Sequence, residues 1–166
     1  RYFWFMKENY NFLFLCTGNS CRSIIAESIL NKIGKGKFFA YSAGSSPIGY
    51  INPLTIKLLM SKGHDLSTLS SKSWDQYRSE PSMDFIITVC DNAAGEVCPI
   101  WPGKPLNAHW GLADPASVDG DEDMRYQAFL DTYAILEKKI KQLVDTLNSN
   151  STATREFLLD AISVIN

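Results

Sequence analysis

The stretch Tyr10-Asn-Phe-Leu-Phe-Leu-Cys16-Thr-Gly-Asn-Ser-Cys-Arg22-Ser23 decides the fold of this chain. Its first half, from Tyr10 to Cys16, is a short apolar run of the kind that forms a buried strand. A turn follows the cysteine, and a helix is predicted from about Ser23 to Ile33, because isoleucines recur there every four residues. The turn would therefore lie at the N-terminus of that helix, where backbone N–H groups have no partner within the helix.

The rest of the chain alternates predicted strands with predicted helices. This alternation is typical of a parallel sheet covered by helices on both faces, with ligands bound at the carboxyl ends of the strands. Cys16, Cys90 and the segment after Leu112 all follow such ends. The predicted strands are residues 10–16, 38–42, 83–90 and 106–112, and the predicted helices are residues 23–33, 53–61, 121–147 and 153–164, with one short helical turn at 73–77 and a loop at 91–104.

Composition narrows the class of protein. The chain has 166 residues, 45% of them hydrophobic, and a formal net charge of −2, so we expect one globular domain without a nucleic-acid or membrane partner. We find no export signal, which predicts the reducing cytoplasm and catalytic or redox roles for the four cysteines. We interpret residues 1–9 as an N-terminal extension with Met6 as a candidate natural start, residues 10–148 as the catalytic domain and residues 149–166 as a C-terminal helical extension.

The segment from Cys16 to Arg22, called the Cys loop below, combines a nucleophile with an anion site. Successive N–H groups at a helix N-terminus bind anions, and the Arg22 guanidinium can hold two oxygens of a tetrahedral oxyanion. The same field is expected to lower the pKa of Cys16, and Ser23 can donate a hydrogen bond to its sulfur. The predicted oxyanion-binding residues are Thr17, Gly18, Asn19, Ser20, Cys21 and Arg22.

The Cys loop, together with Ser42-Ala43-Gly44 and Asp114-Pro115, resembles the low-molecular-weight protein tyrosine phosphatase family. The resemblance extends from about residue 12 to residue 147 and implies a sheet of four parallel strands with helices on both sides. It implies four catalytic roles: Cys16 as nucleophile, Arg22 as anion clamp, Ser23 as support for the thiolate and Asp114 as general acid. Locally, Asp114 is also compatible with a plain Asp-Pro turn.

The Cys loop alone does not choose between phosphate and arsenate, which are oxyanions of similar shape and charge. A tyrosine phosphatase needs an aromatic wall for the phenol ring, yet Ala116 and Ser117 follow Pro115, where phosphatase members of the family have aromatic residues. An arsenate reductase needs a further thiol to attack Cys16 once arsenic is bound. Cys90 and Cys98 supply such thiols.

The segment from Cys90 to Cys98, followed by the stretch from His109 to Pro115, resembles the arsenate reductases of this family. By that resemblance Cys90 is the first resolving thiol, Cys98 the second, and the activity serves arsenic detoxification. No bound cofactor is implied; the reductant is an external thiol, either thioredoxin or glutaredoxin with glutathione. The alternatives are a tyrosine phosphatase with a phosphocysteine at Cys16, and a non-enzymatic anion-binding or redox-sensing module.

A polar group behind the Cys loop bears on metal binding. Asn19, Glu27 and Ser42 resemble a network that holds potassium in some reductases of the family. Lys72 lies where those members supply a carboxylate, so a lysine ammonium can take the place of the ion. The cysteine spacings do not match the short ligand pairs of zinc sites, and no metal is predicted.

Overall fold

The computed structural model describes residues 9–90, 101, 103–149 and 155–165. Four parallel strands form one sheet in the order β2-β1-β3-β4. The predicted α/β class and the four-stranded parallel sheet are confirmed. The strands are β1 (Tyr10–Leu15), β2 (Phe38–Ala43), β3 (Phe85–Thr88) and β4 (Leu106–His109).

The helices follow the sequence prediction closely. They are α1 (Arg22–Ile33), α2 (Pro53–Ser61), α3 (Glu122–Ser149) and α4 (Arg155–Ser163), with short 3₁₀ turns at Trp74–Tyr77 and Pro115–Ser117. Within the described ranges, none of these helices has the length and apolar character needed to cross a bilayer.

Two predicted strands and one predicted helix differ from the structure by two or more residues at an end. The strands within residues 83–90 and 106–112 are shorter than predicted. Beyond the strand ends the chain makes only single backbone hydrogen bonds to its neighbours, such as the one from the Val89 N–H to the Leu15 carbonyl. Helix α3 runs two residues beyond the predicted end, since neither Asn148 nor Ser149 is a glycine or a proline. Most of the predicted loop at 91–104, including Cys98, lies outside the described residues.

Strand β1 is the centre of the packing because its side chains alternate between two apolar layers. Phe12 and Phe14 face the layer of helices, where Phe12 stacks on Phe85 with ring centroids 4.4 Å apart. Leu13 and Leu15 face the opposite layer, which contains Trp74, Trp101 and neighbouring aromatic residues. With both faces covered, β1 holds the start of the Cys loop on a rigid base.

The C-terminal helix α4 packs against the same core as the rest of the domain. Leu158 and Ile162 are fully buried or nearly so, at 0% and 1% exposure. The Trp110 indole Nε1–H donates to the Ile162 carbonyl at 3.2 Å, and Lys139 Nζ donates to the Ile165 carbonyl at 3.1 Å. Helix α4 therefore covers the edge of the sheet at β4, just before the segment that carries Asp114.

We predict that Leu158→Ala lowers the free energy of unfolding by about 2–5 kcal/mol, because it leaves a cavity between α4 and the sheet. Val164→Ala is the matched control, since Val164 is 70% exposed and should change stability by less than about 0.5 kcal/mol. Urea denaturation followed by fluorescence measures both. Equal stability of the two variants would mean that α4 does not belong to the cooperative unit.

Candidate active site

The Cys loop encloses a cavity of about 260 Å³ at the carboxyl end of β1. It lies at the point where the sheet order reverses, since β2 lies on one side of β1 and β3 on the other. The cavity is lined by all seven residues of the Cys loop and by Ile48, Asn52, Cys90, Asp114 and Ala116. Cys16, Cys90 and Asp114, which were predicted to meet at one edge of the sheet, thus line one cavity.

Three carbonyl groups of the Cys loop are hydrogen-bonded to the surrounding chain. These bonds fix the backbone of the loop, and a nest of N–H groups that binds an anion requires such a fixed backbone. The bonds to the carbonyls of Thr17, Gly18 and Ser20 come from the N–H groups of Ser46 (3.0 Å), Ile48 (3.1 Å) and Asn52 (3.3 Å), and from the hydroxyls of Ser71 (3.1 Å) and Thr55 (3.1 Å).

Two residues make the tight turn possible. Asn19 has a positive φ of 49°, a conformation that asparagine tolerates better than most residues. Gly44 lies against the start of the loop, where an added Cβ would come within 2.3 Å of the Thr17 carbonyl oxygen. The Ser42-Ala43-Gly44 segment therefore matters because only glycine permits this close approach.

Arg22 begins α1 and reaches across the cavity. Its Nη1 donates to the Leu112 carbonyl at 2.9 Å, and its Nη2 lies 3.8 Å from Asp114 Oδ1. Its Nε is buried and has no hydrogen-bond partner among the described residues. A buried guanidinium N–H without a partner is costly, and an oxyanion oxygen would satisfy it.

Cys16 and Cys90 are brought together, although they are 74 residues apart in the sequence. Both are buried, and the Thr17 N–H lies 3.4 Å from Cys90 Sγ. Cys16, Cys21 and Cys90 are all in the reduced form. The Cys90 sulfur is thus placed at the rim of the loop that begins with Cys16.

The contact between these thiols changes the expected electrostatics. Hydrogen bonding to the Cys90 thiol and burial raise the pKa of Cys16, while the Arg22 guanidinium and the Thr17 N–H act in the opposite direction. The predicted lowering of the Cys16 pKa is therefore wrong for this arrangement. The sequence placed Cys90 at the same sheet edge but could not reveal how strongly its thiol would affect the pKa of Cys16.

Ser23 and Cys21 occupy buried positions at the base of the loop. The Ser23 hydroxyl oxygen accepts a hydrogen bond from Asn19 Nδ2 at 2.8 Å, which leaves its own hydrogen available for donation. Burial raises the pKa of Cys21, whose sulfur lies 3.8 Å from the Ser20 hydroxyl. Cys21 is therefore a neutral thiol that lines the cavity.

Asp114 combines the two roles that its sequence context allowed. Its Oδ1 accepts from the Ala116 N–H at 2.9 Å and so begins the 3₁₀ turn Pro115–Ser117. The same side chain lines the cavity and is 45% exposed. A carboxyl held at the mouth of the cavity, in contact with solvent, is well placed to exchange a proton with a bound oxyanion.

Sequence reasoning missed two residues of the cavity, Ile48 and Asn52. Asn52 had a readable signal, because an Asn before Pro53 is typical of a helix N-terminus. Ile48 had none, since its approach to the loop depends on how a long connection folds. In the described part of the chain, no group of three or more His, Cys, Asp or Glu side chains is arranged to hold a metal ion.

A larger cavity of about 410 Å³ lies beside the C-terminal end of α1. Its lining includes Lys32, Lys35 and His64 but none of the cysteines. It therefore lacks the nucleophile that the smaller cavity contains, and we assign the chemistry to the Cys loop.

The fold and the Cys loop define a class of protein. The chain belongs to the low-molecular-weight phosphotyrosine protein phosphatase family, whose model matches residues 11–153. Within this family, it is similar to the arsenate reductase of Halalkalibacterium halodurans. The two are 36% identical over 133 residues, which cover 80% of this chain and 94% of that protein.

Solved structures of two enzyme classes have a fold similar to that of this chain. A thioredoxin-dependent arsenate reductase of Corynebacterium glutamicum matches with a TM-score of 0.63 and 24% identity, over 87% of this chain and 64% of that one. A tyrosine phosphatase of Erwinia amylovora matches with a TM-score of 0.63 and 21% identity, over 83% of this chain and 93% of that one. Both enzyme classes share the fold, so the fold does not choose between them.

We predict that Arg22→Lys weakens phosphate binding about 10- to 100-fold, because lysine keeps the charge but loses the planar fork. Isothermal titration with inorganic phosphate measures the change. Arg78→Lys is the control, since Arg78 is 62% exposed and pairs with Asp75 on the surface. An unchanged phosphate affinity in Arg22→Lys would remove the guanidinium from the anion site.

Proposed function

We propose that this protein is an arsenate reductase that uses Cys16 as its nucleophile and passes a disulfide outward through Cys90 and Cys98. The observation that carries the proposal is the position of the Cys90 thiol, which lines the same cavity as Cys16 and lies 3.4 Å from the Thr17 N–H. The sequence similarity to arsenate reductases at 36% identity supports it. A phosphatase needs only Cys16, Arg22 and a general acid and has no use for a second thiol at this position.

The first step is attack of the Cys16 thiolate on arsenic. Once Cys16 has lost its proton, the Arg22 guanidinium and the Thr17 N–H stabilise the negative charge on its sulfur. A sulfur–arsenic bond forms and an arsenic–oxygen bond breaks. Asp114 gives a proton to the departing oxygen, which leaves as water. The Ser23 hydroxyl donates to the Cys16 sulfur and supports its charge.

The second step transfers two electrons. The Cys90 thiolate attacks the Cys16 sulfur, a disulfide forms, and the sulfur–arsenic bond breaks with its electron pair on arsenic. Arsenite departs, so arsenic is reduced by two electrons while two thiols are oxidised. The Cys98 thiolate then attacks Cys90, which frees Cys16 and moves the disulfide to Cys90 and Cys98.

An external thiol closes the cycle by reducing this disulfide. Thioredoxin supplies a dithiol, and glutaredoxin with glutathione supplies the same two electrons from a monothiol pool. The arsenate reductase of Corynebacterium glutamicum that shares this fold is thioredoxin-dependent, so thioredoxin is the first donor to test. We assign the enzyme to the cytoplasm, where these donors are kept reduced.

A secondary phosphatase activity follows from the same cavity. Arg22, Cys16 and Asp114 would also stabilise a phosphoryl group, and a tyrosine phosphatase shares the fold. The wall beside Asp114 is Ala116, however, which gives a phenol ring little surface to pack against. We therefore expect slow hydrolysis of small aryl phosphates.

Cys16→Ser should lower both arsenate reduction and aryl phosphate hydrolysis at least about a thousandfold, because a serine hydroxyl is a weak nucleophile at neutral pH. Arsenate-dependent NADPH oxidation, with each donor system supplied separately, measures the first activity and also identifies the donor. Turnover at the wild-type rate would exclude Cys16 as the nucleophile.

Cys90→Ser should stop multiple-turnover arsenate reduction while aryl phosphate hydrolysis continues, since hydrolysis does not require a second thiol. Cys98→Ser should instead allow one turnover and accumulate a Cys16–Cys90 disulfide, which mass spectrometry of peptides identifies. If both variants reduce arsenate at the wild-type rate, the relay is wrong. Normal reduction in Cys98→Ser alone would indicate a shorter relay that the external thiol resolves directly.

A further inference from the structure

A buried ion pair lies behind the Cys loop and takes no part in the steps above. The Lys72 ammonium is 3.8 Å from Glu27 Oε1, and the two residues are 8% and 5% exposed. The ammonium also donates to the Ser70 carbonyl at 2.9 Å and to the Ser42 hydroxyl at 3.4 Å. A lysine is rarely buried unless its charge is paired in this way.

The same residues hold Asn19, the turning point of the Cys loop. The Lys72 backbone N–H donates to Asn19 Oδ1 at 2.8 Å, and Asn19 Nδ2 donates to the Ser42 hydroxyl at 3.0 Å. Asn19 Nδ2 also donates to Ser23 at 2.8 Å. Since Asn19 is fully buried and has a positive φ, its orientation depends on these partners.

The charges of the pair depend on each other. Burial raises the pKa of Glu27, and the Lys72 ammonium opposes that rise. Burial lowers the pKa of Lys72, and the Glu27 carboxylate opposes that fall. The Ser42 hydroxyl donates to Glu27 Oε1 at 2.5 Å, so removing the ammonium would leave a buried carboxylate with a single neutral donor in this network.

We propose that the Lys72 ammonium is an internal cation that positions Asn19 and Ser23, and that the Cys loop consequently needs no bound monovalent metal ion. Lys72 is a positioning residue, since its ammonium acts on Asn19 through the Ser42 hydroxyl. The residues do not fit potassium: two of the oxygen donors such an ion would use, on Glu27 and Ser42, already face the ammonium, and a second cation there would be repelled.

Wild-type protein should therefore show the same melting temperature and the same phosphate affinity in potassium chloride as in choline chloride at equal ionic strength. Calorimetry and isothermal titration with inorganic phosphate measure the two quantities. Neither readout requires arsenate reduction. The salt comparison can therefore fail while the proposed enzyme activity stands, and the enzyme activity can fail while the salt comparison gives the expected result. A wild-type melting temperature that rises specifically with potassium would overturn the proposal.

Lys72→Asp should convert the network into a cation site, because it replaces the ammonium by a second carboxylate beside Glu27. We expect potassium, but not choline, to raise its melting temperature by about 4 °C or more and to restore part of the lost phosphate affinity. Lys138→Asp on the exposed face of α3 makes the same charge change and should gain no potassium response. A Lys72→Asp variant that responds equally to both salts would count against the assignment.

Lys72→Met removes the cation but keeps the apolar stem. We expect phosphate affinity to fall about 10- to 100-fold, because Asn19 and the loop N–H groups lose their fixed positions. Phosphate affinity and melting temperature at the wild-type values would show that Lys72 does not position the loop. If Lys72→Met does not fold, the comparison of salts on wild-type protein still decides the question.

Discussion

The geometry of the candidate active site depends on the hydrogen bonds made to the carbonyl groups of the Cys loop. Each of Thr17, Gly18 and Ser20 has its carbonyl bonded by a donor from another part of the chain. Because these acceptors are paired within the protein, the loop keeps one conformation without the cost of an unsatisfied carbonyl. The anion site is therefore built by the connection between β2 and α2 as much as by the loop itself.

The order of the strands explains why the thiols meet. Strand β1 is paired with β3, and Cys16 and Cys90 follow these neighbours at the same edge of the sheet. Adjacent strands lie about 4.8 Å apart, so side chains just beyond their ends come within reach of each other. Two cysteines separated widely in the sequence thus require no special loop to bring them together.

The local motifs could be predicted from the sequence, whereas long-range geometry could not. The Cys loop, the Asp-Pro turn and helix α3 are each encoded by residues close together in the sequence, and the apolar residues Phe129, Leu136 and Ile140 of α3 are buried. The pKa of Cys16 was predicted in the wrong direction, because it depends on a thiol 74 residues away. The approach of Ile48 to the cavity likewise depends on a connection without a regular pattern.

Phosphatase and reductase chemistry make different demands on the side chains around the Cys loop. The Thr17 N–H is close to Cys90 Sγ at 3.4 Å, so one donor at the mouth of the Cys loop already serves the second thiol. In the proposed relay, this contact would hold the Cys90 sulfur beside Cys16 before any chemistry begins and so favour disulfide formation. The side of the cavity that a phosphatase would use for an aromatic ring is occupied by Ala116 instead. The balance between the two activities is thus set by the side chains at the rim, while the Cys loop provides the oxyanion site common to both.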